Sequence, residues 1–106
     1  MLSNRVIQAI NSANKYPYIV RVGVFGSCAR NEETAVSDID ILIDYDNTSD
    51  NFLDDIDCFM EDMERLVSDK IDYITVPGLM RSSDEAFRRN VLNDVIWVYA
   101  QERTLQ

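Results

Sequence analysis

Leu2, Val6, Ile7, Ile10 and Ala13 recur at intervals of three and four behind Ser3 and Asn4, and Pro17 closes the run. This spacing predicts an amphipathic helix over residues 3–15. YIVRVGVF, residues 18–25, is short and rich in β-branched side chains and reads as a strand. In IDILIDY, 39–45, Ile39, Ile41 and Ile43 alternate with Asp40, Leu42 and Asp44, the period of a second strand. Between the two, residues 27–33 can form a short helix opening just after Gly26. NTSDN, 47–51, is turn chemistry. Phe52, Ile56, Phe59, Met60, Met63 and Val67 then repeat at helical spacing and predict a helix over about 51–68. KIDYITV, 70–76, reads as a third strand stopped by Pro77-Gly78. Ser82 with Glu85 has the form of a capping box opening a helix through Phe87, Val91 and Leu92. VIWVY, 95–99, fits a continuation of that helix or a short strand, and its β-branched and aromatic content favours the strand. The resulting order, αβαβαβαβ without repeat or linker, predicts an α/β (α+β) protein with helices packed on one sheet.

The length of 106 residues suits a single domain, 1–106, with one modest core and no second domain to carry a large acceptor. The formal net charge is −9, and twelve carboxylates but only one cation, Arg65, lie between Asp38 and Asp69. Such a surface repels a polyanion, which argues against direct nucleic-acid binding and for a basic protein partner or a solvated acidic helix face. No apolar run is long enough to cross a membrane and the N-terminus lacks a signal-peptide pattern, so the expected location is the cytoplasm. Cys28 and Cys58 form no disulfide framework and no zinc-ligand spacing, and are expected to be packing residues. Histidine is absent, which removes His-dependent nucleophilic and metal chemistry. Carboxylates, hydroxyls and a hard metal ion remain.

Two acids one residue apart on a strand project to the same side, with Cα atoms roughly 6.5 to 7 Å apart. Asp38 and Asp40 would therefore repel one another unless a divalent cation joined them. Oxygen-only ligands suit Mg²⁺ or Mn²⁺, and Asp72, within the third predicted strand, is the candidate third carboxylate. Its alternative role is that of a charge protecting an edge strand. Ten residues ahead of the Asp pair, Gly26 and Ser27 follow a strand and precede a short helix, where backbone N–H groups and a hydroxyl can face a phosphate. No Walker-type or GxGxxG loop occurs, so the Gly-Ser turn alone is weak evidence for a phosphate site. The pairing of the two motifs at this interval is the stronger signal.

Gly26-Ser27, ten residues, then Asp38-Ile39-Asp40 resembles the GS-x10-DxD signature of minimal nucleotidyltransferases of the polymerase β superfamily, and Asp72 in KIDYIT matches their third carboxylate. The resemblance covers essentially the whole chain. The stretch reads GSCARN where the family often reads GSRARG, so Cys28 and Asn31 depart from the pattern while Arg30 is retained. The resemblance implies a polymerase β-like fold with one small mixed sheet. It implies Mg²⁺ or Mn²⁺ on Asp38, Asp40 and Asp72, ATP as substrate, and nucleotide contacts from Gly26, Ser27 and Arg30. Chains of this type are similar to antitoxins that transfer AMP to a hydroxyl, expected to be tyrosine, of a partner HEPN-type toxin in a hetero-oligomer. Two alternatives stand beside that expectation: an antitoxin that neutralises by binding alone, and a subunit that modifies a small molecule.

Overall fold

The computed structural model describes residues 2–30 and 38–102. Helix α1 (Asn4–Asn11) opens where the Ser3 hydroxyl accepts from the Val6 N–H at 3.2 Å, and it turns Val6, Ala9 and Ile10 inward. A 3-10 turn (Ser12–Lys15) carries the same stripe to Ala13 and delivers the chain to β1 (Ile19–Phe25). One helical turn, α2 (Gly26–Ala29), follows at once. The later part of the predicted 27–33 helix, from residue 31, lies outside the described residues. Strand β2 (Ile39–Tyr45), helix α3 (Asn51–Leu66) and strand β3 (Ile71–Thr75) agree with the sequence reading. The ambiguous tail is strand β4 (Ile96–Ala100), because Val95 is already extended and ends the preceding helix.

The four strands lie in the order β3-β2-β1-β4. β1 is antiparallel to β2 and to β4, whereas β2 and β3 run parallel, so the sheet is mixed. On one face, Ile10, Ala13, Phe59 and Met63 from α1, the 3-10 turn and α3 pack against Val22, Val24, Ile39, Ile41 and Ile43. On the other, Leu42 and Phe25 meet Leu79 and Val91. Both faces of β2 are therefore covered, which is why Ile41, Leu42 and Ile43 form an uninterrupted apolar run.

Three expectations are corrected on the second face. Pro77 does not merely stop β3: it sits in the first turn of a short helix, α4 (Val76–Met80), where the missing N–H costs nothing, and the Thr75 hydroxyl caps it by accepting from the Gly78 N–H at 3.2 Å. Helix α5 (Glu85–Asp94) is capped by Asp84, whose carboxylate accepts from the Phe87 N–H at 2.9 Å. The Ser82 hydroxyl instead accepts from the Asp84 N–H, and so shapes the turn before the helix. Of the predicted apolar stripe only Val91 is buried, while Phe87 and Leu92 are exposed.

Candidate active site

The topology collects the chemistry-bearing residues at one end of the sheet. β1 ends there at Phe25, directly before Gly26, and β2 and β3 begin there side by side. Phe25 pairs with Asp40 across β1 and β2, and Asp40 pairs with Asp72 across β2 and β3, neighbouring strands being roughly 4.8 Å apart. Asp40 shares its side of β2 with Leu42, and Asp72 shares its side of β3 with Ile74. Both carboxylates thus belong to the face that α4 and α5 cover. Asp38 immediately precedes β2.

Gly26 has a φ of +74°, a backbone conformation that disfavours any side chain, and a Cβ built on it would collide with the Asp40 carboxylate. The glycine is therefore required twice over, by the turn and by how closely Asp40 lies against it. Ser27 is the next residue of the same turn and is half-buried. The interval between the two sequence motifs is thus closed in space by a direct approach of Gly26 to Asp40.

Burial raises the pKa of Asp40 above the ordinary carboxylate range, and the negative charges of Asp72 and Asp38 raise it further, while Arg30 opposes them. The three acids share one electrostatic field, and Asp40 is at its centre. Lys70, just before β3, reaches Asp38 at 3.7 Å. The signal for it in the sequence is a lysine two residues before Asp72, just ahead of a strand parallel to β2. Arg30, expected to touch nucleotide, forms a 2.5 Å ion pair with Asp94 at the end of α5. It ties the α2 turn to the covering helix and projects positive charge toward Asp40.

Asp72 is exposed, and β3 is an edge strand, so it also fits the protective role weighed for it. Among the described residues no three acidic or thiol side chains already converge as a ready-made ligand set for a metal ion. The donor chemistry nonetheless fits a hard divalent cation: oxygen ligands, one just before β2, one on it and one directly opposite on β3, with Asp40 already carrying the repulsion from Asp72 and Asp38 that a cation would relieve.

The remaining acids behave differently. Asp62 is buried, and its carboxylate accepts from the Tyr16 hydroxyl and contacts Lys15 at 2.8 Å and Arg65 at 3.0 Å. The Lys15 ammonium, then the Tyr16 hydroxyl, hold it below the usual carboxylate range. Burial and the same hydrogen bond push the Tyr16 hydroxyl up to about 12. Asp55 accepts from the Tyr18 N–H at 2.9 Å and pins the entry to β1. Asp54, Asp57, Glu61 and Glu64 are exposed on α3. Cys58 is exposed among them, contrary to its expected packing role; partial desolvation, then Glu61 and Asp54, raise its thiol pKa and keep it a poor nucleophile. The Cys28 side chain lies outside the described ones. No helix among the described residues is long and apolar enough to cross a membrane.

The polymerase beta nucleotidyltransferase family model matches residues 8–104. A protein of Methanocaldococcus jannaschii named "putative protein adenylyltransferase" is 31% identical over 78 residues, covering 73% of this chain and 74% of that one. A solved structure described as a "putative minimal nucleotidyltransferase" superposes with a TM-score of 0.64 at 29% identity, over 85% of this chain and 86% of that one. The complex of a tri-AMPylated HEPN toxin of Shewanella oneidensis with an MNT antitoxin contains a chain that shares the fold, with a TM-score of 0.51 at 17% identity over 89% of this chain and 71% of that one. The family match spans nearly the whole chain and agrees with a small mixed sheet carrying its acids at one end: this protein belongs to the polymerase β nucleotidyltransferase family.

Proposed function

We propose that the protein is a metal-dependent adenylyltransferase that transfers AMP from ATP to a hydroxyl, tyrosine in the first instance, of a helical HEPN-type toxin, and thereby acts as its antitoxin. The observation that carries this reading is the placement of Asp40 between Gly26 on one side and Asp72 on the other, with its pKa raised first by burial and then by Asp72 and Asp38. Membership of the nucleotidyltransferase family and the adenylyltransferase relative support the reaction class. The AMPylated HEPN toxin in the structural neighbour supports the choice of acceptor.

On this reading Asp38, Asp40 and Asp72 hold one or two Mg²⁺ ions, which would supply charge neutralisation on the triphosphate and acidify the acceptor hydroxyl. Gly26, having no side chain, lets the Asp40 carboxylate lie directly against the turn, and the Ser27 hydroxyl donates to a phosphate oxygen. Arg30 adds positive charge on the leaving-group side. The acceptor oxygen forms a bond to the α-phosphorus as the bond from that phosphorus to pyrophosphate breaks in line with it. With histidine absent from the chain, Asp72 on the outer strand takes the acceptor proton.

Incubating the protein with its toxin, Mg²⁺ and α-labelled ATP should label the toxin, and the double variant Asp38→Ala, Asp40→Ala should not. Undiminished labelling by the double variant refutes the reading. The exposed acids of α3, suited to a basic partner, favour neutralisation by binding as the second reading. Under it the double variant would still rescue cells from the toxin.

A further inference from the structure

Asp94 is the last residue of α5, and the chain passes from it through Val95 straight into β4. β4 runs antiparallel to β1, with Ile96 paired to Val24, so this end of α5 is delivered beside the end of β1 and the Gly-Ser turn that follows it. A carboxylate in the last turn of a helix faces the negative end of the helix dipole, and α5 has no basic residue there to offset it. Its counter-charge comes from outside the helix: Nη1 of Arg30 meets the Asp94 carboxylate at 2.5 Å. Asp94 is the more enclosed of the two, its side chain 23% exposed against 46% for Arg30, so the acid is the anchor and the arginine is the group a ligand can reach.

Arg30 is thereby held at both ends. Its backbone N–H donates to the carbonyl of Gly26 at 3.1 Å, the residue that lies against Asp40. Its charge acts on Asp40 and opposes those of Asp72 and Asp38, whereas Asp94 does not figure among the charges of the described residues that act there. A long arginine side chain gives up rotamer freedom when it binds a ligand, and one already held gives up less. A guanidinium can meet a carboxylate with one nitrogen and a phosphate with another. As a mere tie between α2 and α5 the pair would achieve little. An ion pair this open to solvent stabilises weakly, and the dipole penalty on Asp94 works against it.

We propose that Asp94 is a positioning residue for nucleotide binding: anchored to it, the Arg30 guanidinium is presented to a phosphate of a nucleoside triphosphate seated at the Gly26-Ser27 turn. Asp94 itself touches no phosphate and acts only through Arg30. This rests on the proposed seating of ATP at that turn, but not on the choice of acceptor.

The test is calorimetric titration of the full chain, in Mg²⁺, with the α,β-methylene analogue of ATP, which cannot transfer AMP; thermal unfolding of every variant is measured alongside. Arg30→Gln should weaken binding at least ~10-fold, the worth of a charge-assisted contact to phosphate. Asp94→Asn should weaken it about fivefold, since the ligand must then order the arginine, while the unfolding midpoint stays within about 3 °C of the wild type. Asp94→Ser provides a second removal of the charge should Asp94→Asn fail to fold. Asp94→Glu, which keeps the charge, should bind within about twofold of the wild type. In the double variant Arg30→Gln, Asp94→Asn the losses should not add, because without Arg30 there is nothing for Asp94 to hold. Equal or tighter binding by Asp94→Asn, or additive losses in the double variant, would overturn the proposal. A wild type that does not bind the analogue would overturn it together with the seating of ATP at the turn. Binding that follows the expected pattern in a protein that transfers no AMP to the toxin upholds the positioning role and counts against the choice of acceptor instead.

Discussion

The two faces of the sheet are built to different standards. Against one, α1, the 3-10 turn and α3 lay down a sealed layer in which Ile10, Ala13, Phe59 and Met63 are fully buried and Asp62, the one buried acid among the described residues, is surrounded by donors. Against the other, α4 and α5 contribute only Leu79 and Val91 as buried side chains, and Phe87, Leu92 and Met80 remain exposed. Asp40 lies at the end of this thinner layer with acids as its neighbours. The same residue type is thus held ionised on one face and pushed toward protonation on the other. One face secures the fold, and the other leaves room and unspent charge for a ligand.

The comparison is sharpest for variants that should separate stability from activity. Phe59→Ala on the sealed face should cost about 3–5 kcal/mol by chemical denaturation. A loss under 1 kcal/mol would mean the layer is not sealed. Asp40→Asn should lower adenylyl transfer at least ~100-fold, about 2.7 kcal/mol of transition-state stabilisation, yet raise the midpoint of thermal unfolding at pH 7 by removing the repulsion with Asp72 and Asp38. A lowered midpoint would place Asp40 with the structural acids. Leu79→Ala on the thinner face should cost about 2 kcal/mol, the low end for a buried leucine because the shallow layer can close over the gap.

Smaller and opposite effects follow from pH. The depressed pKa of Asp62 means that the unfolded chain binds its proton more readily; the stability it contributes is present above the ordinary value of 3.8 and is lost as pH falls through its folded value. The raised pKa of Asp40 acts the other way, so stability is lost as pH climbs from 3.8 through its folded value. Denaturation curves of Asp62→Asn should therefore lose the acid limb of the stability profile, and those of Asp40→Asn the limb above it. Identical profiles for the two variants would erase the distinction.

Most of the fold was legible because its signals are local and periodic. Ile39, Ile41 and Ile43 against Leu42 specify a strand covered on both faces, and the stripe from Phe52 to Val67 specifies α3. The region from Val76 to Asp84 was not, because short polar side chains there can cap alternative starts. Thr75, Ser82 and Asp84 all accept from backbone N–H groups, so the residue types alone do not say which of them opens a helix. At the site, the GS-x10-DxD interval named Gly26, Ser27, Asp38 and Asp40, and the register of β2 with β3 brings Asp72 opposite Asp40. What the interval could not convey was that Gly26 is required by contact with the Asp40 carboxylate, that Lys70 answers Asp38, or that Arg30 is engaged by Asp94, sixty-four residues away. Each is a relation between strands or helices distant in sequence.

The most direct test is where a divalent cation binds, since the exposed acids of α3 compete with the sheet end for it. Substoichiometric Mn²⁺ added to the labelled protein should broaden the amide resonances of Gly26, Ser27, Asp40 and Asp72 first, and Asp40→Asn should abolish that broadening. Broadening that begins instead along Asp54, Asp57, Glu61 and Glu64, with the sheet end left sharp, would contradict a metal-dependent site at Asp40.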